Sequence, residues 1–359
     1  MSMKAFKLVK WGQPGQYLEV PKPSPGPGDV LIRMKAAGLC RSDLDMVDSQ
    51  PGSGPYADSL EENYILGHEN AGYVAEVGSA VRDLQVGEAV VVHHMRHCGN
   101  CEYCTDGAEH HCEAYRRNAI SATRGCGVDG GLAEYLLAPR TEVISIGRGD
   151  PVMYAPLTDA AVTAYHAVQT VIQRLKPGTS AVLIGIGGLG TYGVQFVKLL
   201  SSAQIIAVDV AQDRLEIAKQ VGADHVILSD HTDAGPAAKQ VMSLTRGRGA
   251  DAIVDFVGSS STLKLAAKIS RPRGRVVLVG MQGGTLEVGW GLIGTNCEFA
   301  ISLGSTRQDL REVCSLMGQG KLRVDVQRFS FDEVQKGYDE LRAGNLAGRA
   351  VVVFPGEAV

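Results

Sequence analysis

The stretch AVLIGIGGLGTYGVQFVKLLSSAQIIAVD, running from Ala181 to Asp209, decides the fold. Ala181–Ile184 reads as a buried aliphatic strand, Leu189–Leu200 as a helix and Ile205–Asp209 as the next strand. Between the first strand and the helix, Gly185-Ile186-Gly187-Gly188-Leu189-Gly190 fits the pattern G-x-G-x-x-G. The first glycine permits a tight turn, the second lets backbone approach a pyrophosphate, and the third lets helix and strand pack closely. The helix start adds free N–H groups and the positive end of a dipole. Asp209 ends the second strand, 24 residues after Gly185. A carboxylate there hydrogen-bonds the adenosine ribose hydroxyls and repels a 2′-phosphate, so NAD is expected rather than NADP. Arg214 is a candidate for the other side of the ribose, with a solvated helix-start arginine as the competing reading. A tight turn followed by a surface aspartate is the bland alternative; the complete strand–turn–helix–strand setting argues against it.

Working outward, residues 156–284 keep the same texture. Asp159–Leu175 has helical spacing and stops at Lys176-Pro177-Gly178, and Asp213–Val221 is a helix ended by Gly222. Val226–Leu228, Ala252–Phe256 and Arg275–Val279 are further buried strands. Aliphatic strands alternating with helices mean a parallel sheet covered on both faces. Before about Ala155 the pattern is short and strand-like, with Val30–Ala36, Tyr73–Val77 and Glu88–Val92 set between turns. That region reads as a β-barrel. After about Thr285 come strands at Glu298–Leu303 and Ala350–Phe354 and helices at Arg307–Met317 and Phe331–Arg342. The last strand is expected to return to the first domain.

Composition sets the outer bounds. The chain has 359 residues, enough for two or three domains at roughly 100–200 residues each. Hydrophobic residues make up 45% and charged residues 21%, which excludes a disordered, collagen-like or coiled-coil chain. A net charge of −4 predicts no broad basic face, so nucleic acid is not expected as a partner. No apolar run reaches the roughly 18 residues of a membrane span, and the start lacks a signal-peptide core. A cytoplasmic location is expected. Eight cysteines in so long a chain are not a disulfide scaffold.

Four of them are Cys98, Cys101, Cys104 and Cys112, spaced C-x2-C-x2-C-x7-C. Four soft thiolates in one lobe suit tetrahedral zinc and leave no open position, so that metal is structural. An iron–sulfur cluster is the weaker rival. A second constellation is scattered. Cys40 and His68 each follow a glycine turn, in Gly38-Leu39-Cys40-Arg41-Ser42-Asp43 and Leu66-Gly67-His68-Glu69, and each has a carboxylate nearby. A lone cysteine or histidine is structural by default; a carboxylate such as Asp43 is what orients a ligating histidine.

With these motifs in place, the chain resembles the zinc-dependent medium-chain alcohol dehydrogenases. The resemblance runs through Asp29-Val30-Leu31-Ile32, Gly38–Asp43, Gly67-His68-Glu69, the four-cysteine lobe, Asp129–Tyr135, the Gly185–Gly190 fingerprint and Gly348-Arg349. Pro156-Leu157-Thr158-Asp159-Ala160 is similar to the bacterial secondary-alcohol type. The resemblance implies an α/β chain: a GroES-like β-barrel catalytic domain over residues 1–155 with a zinc lobe at 93–115, completed by about 305–359. A Rossmann domain with a doubly wound parallel sheet then covers 156–304.

The resemblance also implies roles. Asp159 stands where many members carry a second cysteine, so Cys40, His68 and Asp159 would hold the catalytic zinc. Glu69 is a possible alternate ligand, and Asp159 capping its helix is the competing reading. Two zinc ions per chain and NAD would then be the cofactors. Ser42 would pass the alcohol proton to the nicotinamide ribose, and beyond it either Asp45 or bulk water would take it. Arg41 and Arg349 match pyrophosphate contacts, and Thr163 matches a position near the nicotinamide amide. Val257 and Val279, with Gly188 and Leu189 of the fingerprint, match positions along the cofactor.

Ser302, Leu303, Trp290 and Tyr56 are candidates for pocket walls. Cys126, Cys297 and Cys314 are expected to be inert thiols, with Cys126 also a candidate to line the cleft; His93, His94 and His97 are expected to be solvated or structural. The implied reaction is reversible hydride transfer between NAD and a secondary alcohol or ketone. Primary or aromatic alcohols, polyols, and a silent NAD-binding protein are the alternatives. The family forms homotetramers or homodimers, with Glu298–Leu303 as the edge strand here.

Overall fold

The computed structural model describes residues 1–50, 60–117, 120–121, 123–230 and 232–356. Tyr56 lies outside these described residues. The chain divides into two compact units, residues 1–162 with 304–359, and residues 163–303.

The second unit is built on a six-stranded sheet. In spatial order its strands are His225–Leu228, Gln204–Asp209, Ser180–Ile184, Ala250–Asp255, Ser270–Leu278 and Glu298–Ile301. Every neighbouring pair is parallel. In chain order this is 3-2-1-4-5-6, the doubly wound arrangement, whose ligand crevice lies where the order reverses. All five residues of Ser180–Ile184 are buried, as a central strand covered on both faces requires. The apolar interior of this unit joins Val182, Ile184, Ile206, Val208, Ile253 and Val276 to the inward faces of the helices Gly235–Leu244 and Ser260–Ile269.

The helix expected over Asp159–Leu175 is shorter than its spacing predicts. It spans Ala160–Gln169, and Ile172–Arg174 form a separate 3-10 turn. The Thr170 hydroxyl bonds the Ala167 carbonyl at 2.7 Å, and Val171 N–H reaches Val168 O at 3.0 Å. These bonds over three residues tighten the last turn and end the α-helical ladder.

In the first unit, Asp29–Gly38 is the central strand of a seven-stranded sheet. It pairs with Glu69–Val77 and Tyr135–Pro139, and with the C-terminal strand Arg349–Val353. The last strand thus returns to the sheet of the first unit, between Asp29–Gly38 and Val326–Ser330. Ser2–Leu8 pairs with Gln16–Pro21 and Tyr64–Ile65 in a smaller sheet. The two sheets share a core that includes Phe6, Leu8, Ile32, Met34, Leu66 and Tyr338. The short helix Arg41–Asp48 leaves the central strand at Leu39 and turns Cys40 and Asp43 inward.

Candidate metal and cofactor sites

Cys40 is the N-cap of the helix Arg41–Asp48. Its backbone N–H donates to Asp43 Oδ2 at 3.0 Å, the reciprocal bond of a helix start. The other oxygen of Asp43 lies 3.0 Å from His68 Nδ1. One buried carboxylate therefore fixes the backbone of one candidate ligand and the ring of another. With Nδ1 facing Asp43, His68 turns Nε2 the opposite way.

His68 sits between the strand Glu69–Val77 and Gly67, whose φ of 93° is the left-handed region that favours glycine. A Cβ at Gly67 would come 2.8 Å from Leu132 Cγ, so packing excludes other residues as well.

Asp159 follows the 3-10 turn Ala155–Thr158. Thr158 anchors that turn: its hydroxyl donates to Ala155 O at 2.9 Å and accepts from Asn70 N at 3.1 Å.

The three side chains converge. Asp159 Oδ2 lies 3.3 Å from His68 Nε2 and 3.5 Å from Cys40 Sγ. All three donor atoms lie within 4.8 Å of one another. Around a tetrahedral zinc, nitrogen–oxygen and sulfur–oxygen edges are about 3.4 and 3.6 Å. The spacing thus fits a single ion, and three donors leave a fourth position open.

The electrostatics point the same way. Asp43 and Asp159 are carboxylates against His68, and Glu69, next to it in the chain, is paired with the Arg349 guanidinium. Burial would raise the Asp159 carboxyl, but the hydrogen bond and charge of His68 hold it well below the usual range. Burial would lower His68, yet Asp43 and its neighbours raise it well above its ordinary value. Burial raises the Cys40 thiol, reinforced by the Asp159 charge. A buried thiol, imidazole and ionised carboxylate brought to one point are the donor chemistry of a bound cation.

Glu69 is outside the convergent set. It is fully buried and paired to Arg349, whose guanidinium also donates to Leu39 O at 3.2 Å. Burial pushes Glu69 up to about 8, with Arg349 opposing. Ser42 Oγ is 3.7 Å from Cys40 Sγ. Arg41 and Asp45 are exposed on the same helix, 4.0 Å apart.

In the four-cysteine lobe, the Sγ–Sγ distances are 3.5 Å for Cys101–Cys104 and 3.9 Å for Cys98–Cys104 and Cys101–Cys112. A tetrahedron of sulfurs about 2.3 Å from zinc has edges of about 3.8 Å. Backbone N–H groups point at the sulfurs: those of Asn100 and Cys101 pull Cys98 down to about 6. The lobe fits a closed four-thiolate ion.

In the other unit, Gly185 has φ 86°, and a Cβ there would strike Val257. A Cβ on Gly190 would strike the Gly185 carbonyl, the close helix–strand approach the third glycine allows. Gly187 is different, because among the described residues nothing lies within 4 Å of the position its Cβ would take. No packing among those residues demands that glycine, so it fits a cradle kept open for a phosphate. Asp209 Oδ2 accepts from Ile186 N at 2.6 Å, and its Oδ1 accepts from Ala211 N at 2.9 Å and lies 3.8 Å from Arg214. Thr163 and Val279 are buried, and Val257 is half-buried.

Other candidates scatter. Ser302 and Leu303 are half-buried, while Trp290 is 96% exposed. Cys314 is buried, and burial pushes its thiol up to about 12. Cys297 is half-buried. His93, His94 and His97 are all buried, so of the two readings offered for them the solvated one is corrected. Residues 93–95 continue inward from the strand Ala89–Val92, which carries them away from solvent.

Two features escaped sequence reasoning. Cys126 Sγ lies 3.6 Å from His68 Nδ1, and His94 Nε2 lies 3.8 Å from Asp159 Oδ1. A Gly-rich loop and a run of histidines are visible in the sequence, but which ring turns toward the site is not.

Two family models match the chain: the alcohol dehydrogenase GroES-like domain over residues 26–148 and the zinc-binding dehydrogenase over residues 188–319. An NAD-dependent alcohol dehydrogenase of Sulfurisphaera tokodaii is 36% identical over 98% of this chain and 100% of its own length. The crystal structure of an alcohol dehydrogenase from Aeropyrum pernix is 34% identical with a TM-score of 0.86, over 98% of this chain and 99% of that one. An acetophenone reductase from Geotrichum candidum, solved in complex with NAD, is 27% identical with a TM-score of 0.84, over 98% and 97% of the two chains.

Proposed function

This chain belongs to the zinc-type medium-chain alcohol dehydrogenases, and from that premise we propose that it interconverts secondary alcohols and ketones with NAD. The convergence of Cys40, His68 and Asp159 on one point carries the reading. Similarity to an acetophenone reductase supports a secondary, bulky substrate.

Cys40, His68 and Asp159 would hold the catalytic ion, and Cys98, Cys101, Cys104 and Cys112 the structural one. When bound, zinc supplies Lewis acidity at the alcohol oxygen and NAD accepts the hydride. The remaining work belongs to the chain. Asp43 keeps His68 in the tautomer that offers Nε2. Ser42 takes the alcohol proton on its hydroxyl oxygen and passes its own onward. Asp45, exposed beside Arg41, is not needed as a terminal base when water reaches it. Gly185, Gly187, Gly188, Leu189 and Gly190 admit the pyrophosphate, and Asp209 receives the ribose hydroxyls. Arg41, Thr163, Arg214, Val257, Val279 and Arg349 are assigned to the cofactor's length by family position.

No helix among the described residues is long and apolar enough to cross a membrane, and all eight cysteines are free. We infer a cytosolic enzyme. We also infer a homotetramer, or a homodimer, joined through the edge strand Glu298–Ile301.

The test is steady-state turnover of acetophenone, cyclohexanone, benzaldehyde and sorbitol with NAD(H) and NADP(H), beside zinc quantitation. The expected result is ketone reduction with NADH and two zinc ions per chain. NADH binding without turnover of any substrate, with one zinc per chain, would favour the silent reading instead.

A further inference from the structure

We propose that His94 is a specificity-determining residue, whose Nε2 accepts a hydrogen bond from a hydroxyl or amino group on the carbon next to the reacting carbinol. The inference rests on the function proposed above, because it needs the alcohol oxygen to sit at the Cys40–His68–Asp159 centre.

The tautomer of His94 follows from geometry. Its Nδ1 lies 2.6 Å from the carbonyl oxygen of Thr158. A carbonyl only accepts, so Nδ1 carries the proton. Nε2 lies 3.8 Å from Asp159 Oδ1. That is about 1 Å too long for the N–H···O bond an imidazolium would make to a carboxylate. Nε2 therefore presents a lone pair beside the metal-binding carboxylate. It makes no hydrogen bond to any described residue.

The ring is also held still. The His93 N–H donates to Glu142 O at 2.8 Å, and His94 O accepts from Arg124 N at 3.0 Å. Thr158, the partner of Nδ1, is itself pinned to Ala155 and Asn70. His94 is not one of the convergent donors, so it does not complete the ion's own shell. A pre-oriented acceptor on a buried histidine, 3.8 Å from the carboxylate that completes the convergent set, is poorly served by a substrate that offers only hydrocarbon there. Sites built to hydrogen-bond a substrate group discriminate strongly against analogues that lack it. A vicinal diol or a vicinal amino alcohol supplies the missing donor.

The experiment uses the zinc-loaded protein with 2-propanol, 1,2-propanediol and 1-amino-2-propanol. In His94→Asn the amide nitrogen still reaches Thr158, but nothing occupies the Nε2 position. In His94→Gln the amide end reaches the Nε2 position. The ratio of kcat/KM for the diol or amino alcohol over 2-propanol is expected to fall about tenfold or more in His94→Asn, chiefly through KM. It is expected to stay within about threefold in His94→Gln.

A second readout needs no turnover. In the cobalt-substituted protein, the visible bands of the metal should shift at lower diol concentration than 2-propanol concentration, and His94→Asn should abolish the difference. An unchanged ratio in His94→Asn, or equal losses on all three substrates, would overturn the assignment and leave His94 as a clamp on Thr158. If no substrate is turned over by the wild type, the parent reading fails, and the cobalt titration still decides for or against His94.

Discussion

Asp43 is the residue on which the proposed metal centre turns. Its two oxygens serve Cys40 N and His68 Nδ1, each at 3.0 Å, so it positions two proposed ligands from one buried carboxylate. Asp43→Asn keeps the volume but can present an amide N–H to His68 where an acceptor is required. Zinc affinity at the catalytic site, measured against a competing chelator, is expected to weaken roughly 10–100-fold while the four-cysteine site keeps its ion. Unchanged affinity would remove Asp43 from this role. Arg349 is a different case at the same scale. The resemblance assigns it to a pyrophosphate, and its guanidinium is paired with the buried Glu69. That pair supplies a charge partner which a reading of Gly348-Arg349 alone does not contain.

At the scale of elements, the four-cysteine lobe makes the sharpest chemical statement. Backbone N–H groups lower Cys98 to about 6, whereas burial raises Cys314 to about 12. In chelator-treated protein, iodoacetamide at pH 7 is expected to label Cys98 early and Cys314 last, as read by peptide mass spectrometry. The lowered value makes Cys98 about nine-tenths thiolate at pH 7 and about one-tenth at pH 5, so its labelling should slow about tenfold over that interval. Restored zinc should protect it. Labelling of Cys98 at the rate of an ordinary thiol would contradict the geometry of the lobe.

Much of this element-level picture is legible in sequence because it is local. The glycine fingerprint, the strands on either side of it and the cysteine spacing are all set within about 30 residues. The end of the helix after Asp159 is less legible. There Thr170 turns its hydroxyl back on the backbone, and the spacing of apolar residues carries no sign of that bond. The helix Gly235–Leu244 is not among the elements expected above; Pro236 in its first turn suits a helix start, and its apolar face packs on the sheet. His94 is illegible for a third reason, since its role depends on a carbonyl 64 residues away.

At the scale of the whole molecule, the strand Glu298–Ile301 is the last of its sheet and pairs on one side with Ser270–Leu278. Ile301 is 82% exposed, and Phe299, Val288 and Trp290 are exposed as well. An apolar sheet edge of this kind invites a second strand, and here the proposed occupant is another copy of the chain. Ile301→Lys is expected to shift the assembly to a smaller species in light scattering without loss of bound zinc; an unchanged mass would place the interface elsewhere. The central claim, however, concerns the ion between Cys40, His68 and Asp159, and metal stoichiometry reads it most directly. Zinc counted per chain should be two in the native protein and one in Asp159→Ala, with alcohol oxidation reduced by about 100-fold or more. Two tightly held ions and full turnover in Asp159→Ala would contradict the account.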